Sequence, residues 1–255
     1  MHLASTVHGP ATARPPLVIA HGLFGSARNW SAIGKRLALD RQVIAVDMRN
    51  HGDSPRSPVH DYPSMAADLA ETIAAHGGRA DVLGHSMGGK AAMVLALSEP
   101  ALVNRLIVAD VAPVSYEHSQ IEYVRAMQAV DLAAVTRRSD ADADLARSVP
   151  EPSLRAFFLQ SLAVRPEGAS WKLNLDVLDE QMPVIMDFPD LPGSFDGPTL
   201  FLTGATSSYV LPEHWPRIRA LFPAAEHTAI PDAGHWLHAD APGPFVEAAA
   251  GFLDA

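Results

Sequence analysis

Short runs of apolar and β-branched residues recur along the chain: Leu17–Ala20, Val43–Val46, Asp81–Leu83, Leu106–Val108, Thr199–Leu202 and His227–Ile230. Most lack strict alternation between apolar and polar positions. That pattern predicts parallel strands covered on both faces by helices. Segments of helical period lie between them. Asn29 to Leu39 carries Trp30, Ile33 and Leu37 at helical spacing, and Ser64 to His76 carries Met65, Leu69 and Ile73 four apart before Gly77-Gly78 stops it. Met87 to Leu97 is rich in Ala, Met and Leu, and Phe245 to Leu253 closes the chain. Strand and helix alternate, so the crossovers are expected to be right-handed and the sheet mostly parallel.

The alternation breaks after Pro113. From Ser115 to about Phe195 no strand is predicted, only helical pieces at Ile121–Ala134, Asp140–Arg147, Ser153–Leu162 and Leu175–Met186. An insertion between two parallel strands lies over the sheet edge where those strands end, the edge that holds ligand sites in open α/β folds. The expected division is a core of residues 1–114 and 196–255 and a helical cap of residues 115–195, with the Pro/Gly-rich stretch Pro189–Pro198 returning the chain to the core.

Composition narrows the chemistry. At 255 residues the chain can bury a full core, and with no cysteine it has neither disulfides nor thiolate nucleophiles. The absence of cysteine fits a reducing cytoplasm, the expected location. A net charge of −10 argues against binding to nucleic acid. No signal peptide is read at the N-terminus and no apolar run approaches the ~20 residues needed for a membrane span.

The strongest motif is Gly84-His85-Ser86-Met87-Gly88. It matches G-x-S-x-G, and it stands between the apolar strand Ala80–Leu83 and a long helical run. A sharp strand-to-helix turn there lifts a serine oxygen into the crevice, and the helix start directs amide groups at developing negative charge. Ser86 is therefore the expected nucleophile. Two backbone amides are expected to hold the oxyanion: that of Met87, and that of Leu23 in the loop His21-Gly22-Leu23-Phe24-Gly25 after an earlier strand.

The base is expected in a loop after the last strand. Asp232-Ala233-Gly234-His235-Trp236 supplies His235, with His238 as a rival three residues on; the chain order Ser, acid, His selects His235. The acid is harder. Its usual place, after the strand at Thr199–Leu202, reads Gly204-Ala205-Thr206-Ser207-Ser208-Tyr209-Val210, without a carboxylate. Glu213 lies beyond it, Asp196 precedes it and Asp232 is near the histidine. Asp110, at the C-terminal end of Leu106–Val108, sits on the same sheet edge as Ser86 and is the assignment adopted. Ser207 would then lie near the vacated acid position, within reach of His235. Asp47, Arg49 and His51 are read as shaping a turn, and Lys90 as half of a salt bridge.

The stretches HGLFGSARNW, VDMRNHGDSP, GHSMGGKAAM, LIVADVAPVSY, WKLNL and GHWLH together resemble the α/β-hydrolase superfamily, and within it bacterial esterases related to the mammalian abhydrolase-domain 11 proteins. The resemblance implies a mostly parallel sheet of about eight strands, a helical cap after the sixth, and hydrolysis of esters or thioesters, acyl-CoA type included. That group takes its acid from the earlier strand and carries a serine at the usual acid position, in keeping with Asp110 and Ser207. No metal or organic cofactor is implied. The expected partner is a small acyl ester or thioester, and the expected state a monomer or homodimer.

An apolar pocket is expected, bordered by Leu23, Phe24 and Trp236 and lined from the cap by some of Tyr123, Met127, Phe157, Phe158, Leu162, Trp171 and Met186. Ser86 excludes the hydrolases of this fold that need an aspartate nucleophile. A C–C bond hydrolase would use the same triad with a basic pocket, for which the cap offers Arg125, Arg137, Arg138, Arg147, Arg155, Arg165 and Lys172. An acyltransferase would differ in excluding water, and a non-catalytic binding protein of this fold would be expected to lack a triad member.

Overall fold

The computed structural model describes residues 1–255. The strands are β1 Ser5–His8, β2 Leu17–Ala20, β3 Val43–Val46, β4 Ala80–His85, β5 Val103–Ala109, β6 Leu162–Arg165, β7 Gly168–Trp171, β8 Thr199–Gly204 and β9 Ala225–Ile230. The helices are α1 Ser31–Leu37, α2 Tyr62–Ala75, α3 Met87–Ser98, α4 Ile121–Gln128, α5 Arg138–Leu145, α6 Pro152–Phe158, α7 Leu175–Glu180, α8 Met182–Met186, α9 Trp215–Leu221, α10 Leu237–Asp240 and α11 Pro242–Asp254. Seven strands form one sheet in the order β1-β3-β2-β4-β5-β8-β9, parallel throughout except for β1.

Two counts differ from expectation. The sheet has seven strands rather than about eight, and the chain leaves it after the fifth strand rather than the sixth. β1 is a four-residue antiparallel edge strand, ended by Gly9-Pro10. The inserted stretch is not wholly helical either: β6 and β7 pair as an antiparallel hairpin. Its strands have only four residues each, end or begin on polar or glycine positions (Arg165, Gly168) and are mostly exposed or half-buried, so the pattern carried little strand signal.

β2, β3 and β4 are buried at every position and β5 nearly so, because helices cover both faces. One core cluster joins the α2 and α3 face to the insertion; the other packs α1 and α11 on the opposite face. α2 begins where Asp61 accepts a hydrogen bond from the Ser64 amide at 2.8 Å, and ends where the Gly78 amide reaches back to Ile73 O. α3 is almost wholly buried, which fits its unbroken run of small and apolar residues.

The β4–α3 turn is so close that side chains are excluded from it. A Cβ on Gly84 would lie 2.2 Å from Gly88 O, and one on Gly88 would lie 2.3 Å from Ala20 O. Gly88→Ala is expected to lower the thermal unfolding midpoint sharply or prevent soluble expression. Gly243→Ala, in the first turn of α11 with open space around it, should be neutral or raise stability by up to about 1 kcal/mol. Thermal melts of the two variants check the contrast.

Candidate active site

The turn after β4 holds Ser86 at φ 52° and ψ −119°, a conformation that L-residues rarely adopt. The Ser86 amide donates to Ala109 O of β5 at 3.0 Å, and the Lys90 amide to Ser86 O, so strand and helix both fix the strained residue. Ser86 Oγ lies 3.1 Å from His235 Nε2. His235 Nδ1 donates to Asp110 Oδ2 at 2.8 Å. The structure thus brings Ser86, His235 and Asp110 into one hydrogen-bonded chain, with the acid drawn from the strand adjacent to the serine's own.

Asp110 also has left-handed backbone, φ 53°, which an aspartate tolerates better than most residues. Its carboxylate is fully buried. The Gly204 amide donates to Oδ1 at 3.0 Å and Ser207 Oγ donates to Oδ2 at 2.5 Å. Ser207 therefore bonds Asp110, not His235 as expected: the loop after β8 seats its hydroxyl on Oδ2, the same carboxylate oxygen that takes the His235 Nδ1 bond. With three donors, the buried charge is compensated. Glu213, Asp196 and Asp232 make no hydrogen bond to His235. His238 stacks on Trp30, centroids 4.2 Å apart, away from the chain.

His235 is held from three further directions. Tyr209 stacks on its ring at 3.8 Å and 15°. His85 Nε2 donates to its carbonyl at 2.8 Å. Gly234, just before it, has its amide tied to Asp240 Oδ2 at 2.9 Å.

Leu23 and Met87 line the cavity that contains Ser86 and His235, and their amides are engaged in no hydrogen bond within the protein, whereas those of Phe24 and Gly25 are taken by His51 Nε2 and Gly22 O. Free amides are uncommon in folded proteins. The loop carrying Leu23 rests on buried histidines. His21 donates from Nδ1 to Gly22 O and accepts the Met48 amide at Nε2; His51 donates from Nδ1 to Arg49 O and accepts the Phe24 amide at Nε2. Both are neutral imidazoles by this pattern. Asp47, Arg49 and His51 are structural in the sense expected: Asp47 accepts from the Ala27 and Asp53 amides, and Arg49 pairs with buried Asp68 at 2.6 Å.

A cavity of about 280 Å³ opens above Ser86, with most of its lining apolar. Of the expected pocket residues, Leu23, Phe24, Tyr123, Phe157, Phe158, Met186 and Trp236 line it. Met127, Leu162 and Trp171 do not. Met127 and Leu162 are buried in the core of the insertion, and the Trp171 indole donates to Met127 O at 3.0 Å, facing inward to that core. Tyr62, Tyr116, Ile185 and Tyr209 line the cavity without having been expected there, because they come from four distant segments that only the fold brings together. Tyr116 lay within the APVSY stretch, the one signal available. Lys90 makes no salt bridge; its Nζ donates to the carbonyls of Met186 and Asp187 at 2.9 and 2.6 Å. None of the seven basic residues named from the insertion lines the cavity: Arg125, Arg137, Arg147, Arg155, Arg165 and Lys172 pair with carboxylates, and Arg138 binds the carbonyls of Leu159 and Leu162.

Residues 15–242 match the family model described as alpha/beta hydrolase fold. The chain belongs to the α/β-hydrolase family. It is a hydrolytic enzyme of that family. It is 43% identical over 254 residues to the sn-1-specific diacylglycerol lipase ABHD11 of Mus musculus, covering 96% of this chain and 82% of that one. It is 37% identical over 241 residues to esterase YbfF of Escherichia coli, covering 94% and 93%. Among solved structures, a marine microorganism esterase superposes with a TM-score of 0.94 at 35% identity, covering 98% and 99%. No helix is long and apolar enough to cross a membrane.

Burial pulls the pKa of His21 down to about 4 and of His51 and His60 to about 3, and holds His85 well below its ordinary value. These groups are neutral when folded and take up a proton near pH 6.5 when unfolded. Their contribution is therefore complete above about pH 6.5 and is lost as the pH falls towards 4 and 3, on the order of 1.4 kcal/mol per pH unit for each histidine. The unfolding midpoint is expected to drop steeply between pH 6.5 and 4.5. A flat melting temperature across that window would overturn this account.

Proposed function

We propose that this hydrolase cleaves apolar acyl esters and thioesters, acyl-CoA type included, through an acyl-enzyme on Ser86. The observation that carries the reading is the unbroken Ser86–His235–Asp110 hydrogen-bond chain at the base of an apolar cavity, flanked by two unengaged amides. The names of the relatives, a lipase and two esterases, support the ester bond as the target.

The chemistry follows from the positions of the donors. His235 Nε2 takes the Ser86 proton as Oγ attacks the acyl carbon, and Asp110 holds Nδ1–H so that Nε2 is the free base. The tetrahedral oxygen takes hydrogen bonds from the Leu23 and Met87 amides. His235 then protonates the leaving alkoxide or thiolate. A water molecule, deprotonated by the same imidazole, attacks the acyl-serine; the bond to Oγ breaks as the imidazolium returns its proton to Ser86, and the carboxylic acid leaves. Ser207 and the Gly204 amide keep the Asp110 carboxylate oriented. The helical excursion, residues 115–195, acts as the cap over residues 1–114 and 196–255, roofing the acyl slot with Tyr123, Phe158 and Met186. Its arginines are occupied with its own carboxylates and carbonyls, which favours an apolar acyl group over the carboxylated diketones of C–C bond hydrolases.

Hydrolysis of p-nitrophenyl esters by wild type, Ser86→Ala and Asp110→Asn tests this. Wild type should turn over, with kcat lower by about 10⁴-fold or more in the serine variant and about 10²–10⁴-fold in the aspartate variant. Full activity in Asp110→Asn would dismiss the acid assignment, and an inert wild type would dismiss ester hydrolysis. Because the chain has no cysteine, thiol release from acyl-CoA can be read with a thiol reagent without background. Ser207→Ala, which removes one donor from a buried carboxylate, should lower kcat by about 10–100-fold while leaving KM near wild type.

A further inference from the structure

The end of α8 is tied to the core at three successive carbonyls. Tyr62 Oη donates to Ile185 O at 2.5 Å, Lys90 Nζ to Met186 O at 2.9 Å, and Lys90 Nζ again to Asp187 O at 2.6 Å. The Tyr116 amide adds a second bond to Met186 O at 3.0 Å. The Lys90 ammonium also lies 4.7 Å from the Tyr116 ring centroid and 5.7 Å from that of Tyr62. The side chain is fully buried, and no carboxylate pairs with it. A buried amine costs desolvation that a methionine of similar length would not. Burial draws its pKa down to about 7, in keeping with that cost. What the amine supplies, and a methionine could not, is the pair of bonds to α8.

The tie stands at a wall. On one side is the cavity of about 280 Å³ above Ser86; on the other is a second cavity of about 470 Å³, lined by exposed Ser115, Glu117, His118 and Ser119. Tyr116 and Met186 belong to the walls of both. If the end of α8 moved outward, the two would join into one longer slot. We propose that Lys90 is a specificity-determining residue that sets the acyl-chain limit: by pinning Met186 and Asp187 it keeps the wall between the cavities closed, so that acyl groups longer than the inner cavity are refused.

This inference rests on the acyl-ester reading of the Ser86 site. The test is the chain-length profile, from butyryl to palmitoyl p-nitrophenyl esters, of wild type and Lys90→Met, with thermal melts of both. Wild type should prefer short chains. In Lys90→Met the ratio of palmitoyl to butyryl kcat/KM should rise about tenfold or more, through a lower KM for the long ester. A profile that superposes on wild type in a folded variant overturns the proposal, as does a wild type that takes palmitoyl as readily as butyryl. Should Lys90→Met fail to fold, Lys90→Gln, which removes the ammonium and shortens the side chain while keeping a polar group in the buried site, is measured instead, and the same ratio must rise in it or the proposal fails. An ester-inert wild type would instead strike the reading beneath it, so the two failures are distinct.

Discussion

Everything at this site depends on a backbone held in a conformation it would not adopt alone. Ser86 and Asp110 both have left-handed φ, as does Phe24 beside them. Such residues cost on the order of 1–3 kcal/mol each unless the surroundings over-determine them. Here the surroundings are two hydrogen-bonded parallel strands. The Ser86 amide is tied to Ala109 of β5, and the Asp110 amide to Leu202 of β8. Ser86 and Asp110 thus stand at the ends of adjacent strands of one sheet, and each strained residue begins where its strand stops.

That arrangement explains why the acid can be absent from the loop after β8. In this chain the loop contributes a hydroxyl, and the end of β8 an amide, to a carboxylate that arrives from the neighbouring strand. The Gly204 amide and Ser207 Oγ do not replace Asp110; they satisfy it. The price is a charge buried with no access to water, which only a complete set of donors makes tolerable. Tyr209, in the same loop, packs its ring flat on the imidazole that the acid orients.

Much of this was legible in the residues. The Gly84–Gly88 turn, its flanking strand and helix, and the histidine loop are local in sequence, so pattern and spacing sufficed. The missing carboxylate after β8 was itself a signal that directed attention to Asp110. The pocket was less legible, since its wall gathers Tyr62, Tyr116, Ile185 and Tyr209 from four segments whose meeting is a tertiary fact. Met127 and Trp171 show the converse. Both are apolar and lie in the insertion, but that insertion has its own core to fill, and an apolar residue carries no mark of which side it faces. The hairpin β6–β7 escaped for a related reason: two four-residue strands with partly polar faces give no period to read. Lys90 was visible as a lysine in a buried helix, but its acceptors, two backbone carbonyls a hundred residues away, have no sequence signature.

With Ser86 and Asp110 fixed on adjacent strands, His235 is the only member of the chain carried by a loop. It is anchored by contacts rather than by a ladder: the ring stack of Tyr209, the His85 bond to its carbonyl and the tie from the Gly234 amide to Asp240. The opening of loops requires far less free energy than the unfolding of a central sheet. On warming, the imidazole should therefore wander while serine and aspartate still face one another across an intact ladder, and the enzyme would fall silent as a folded protein, recovering on cooling.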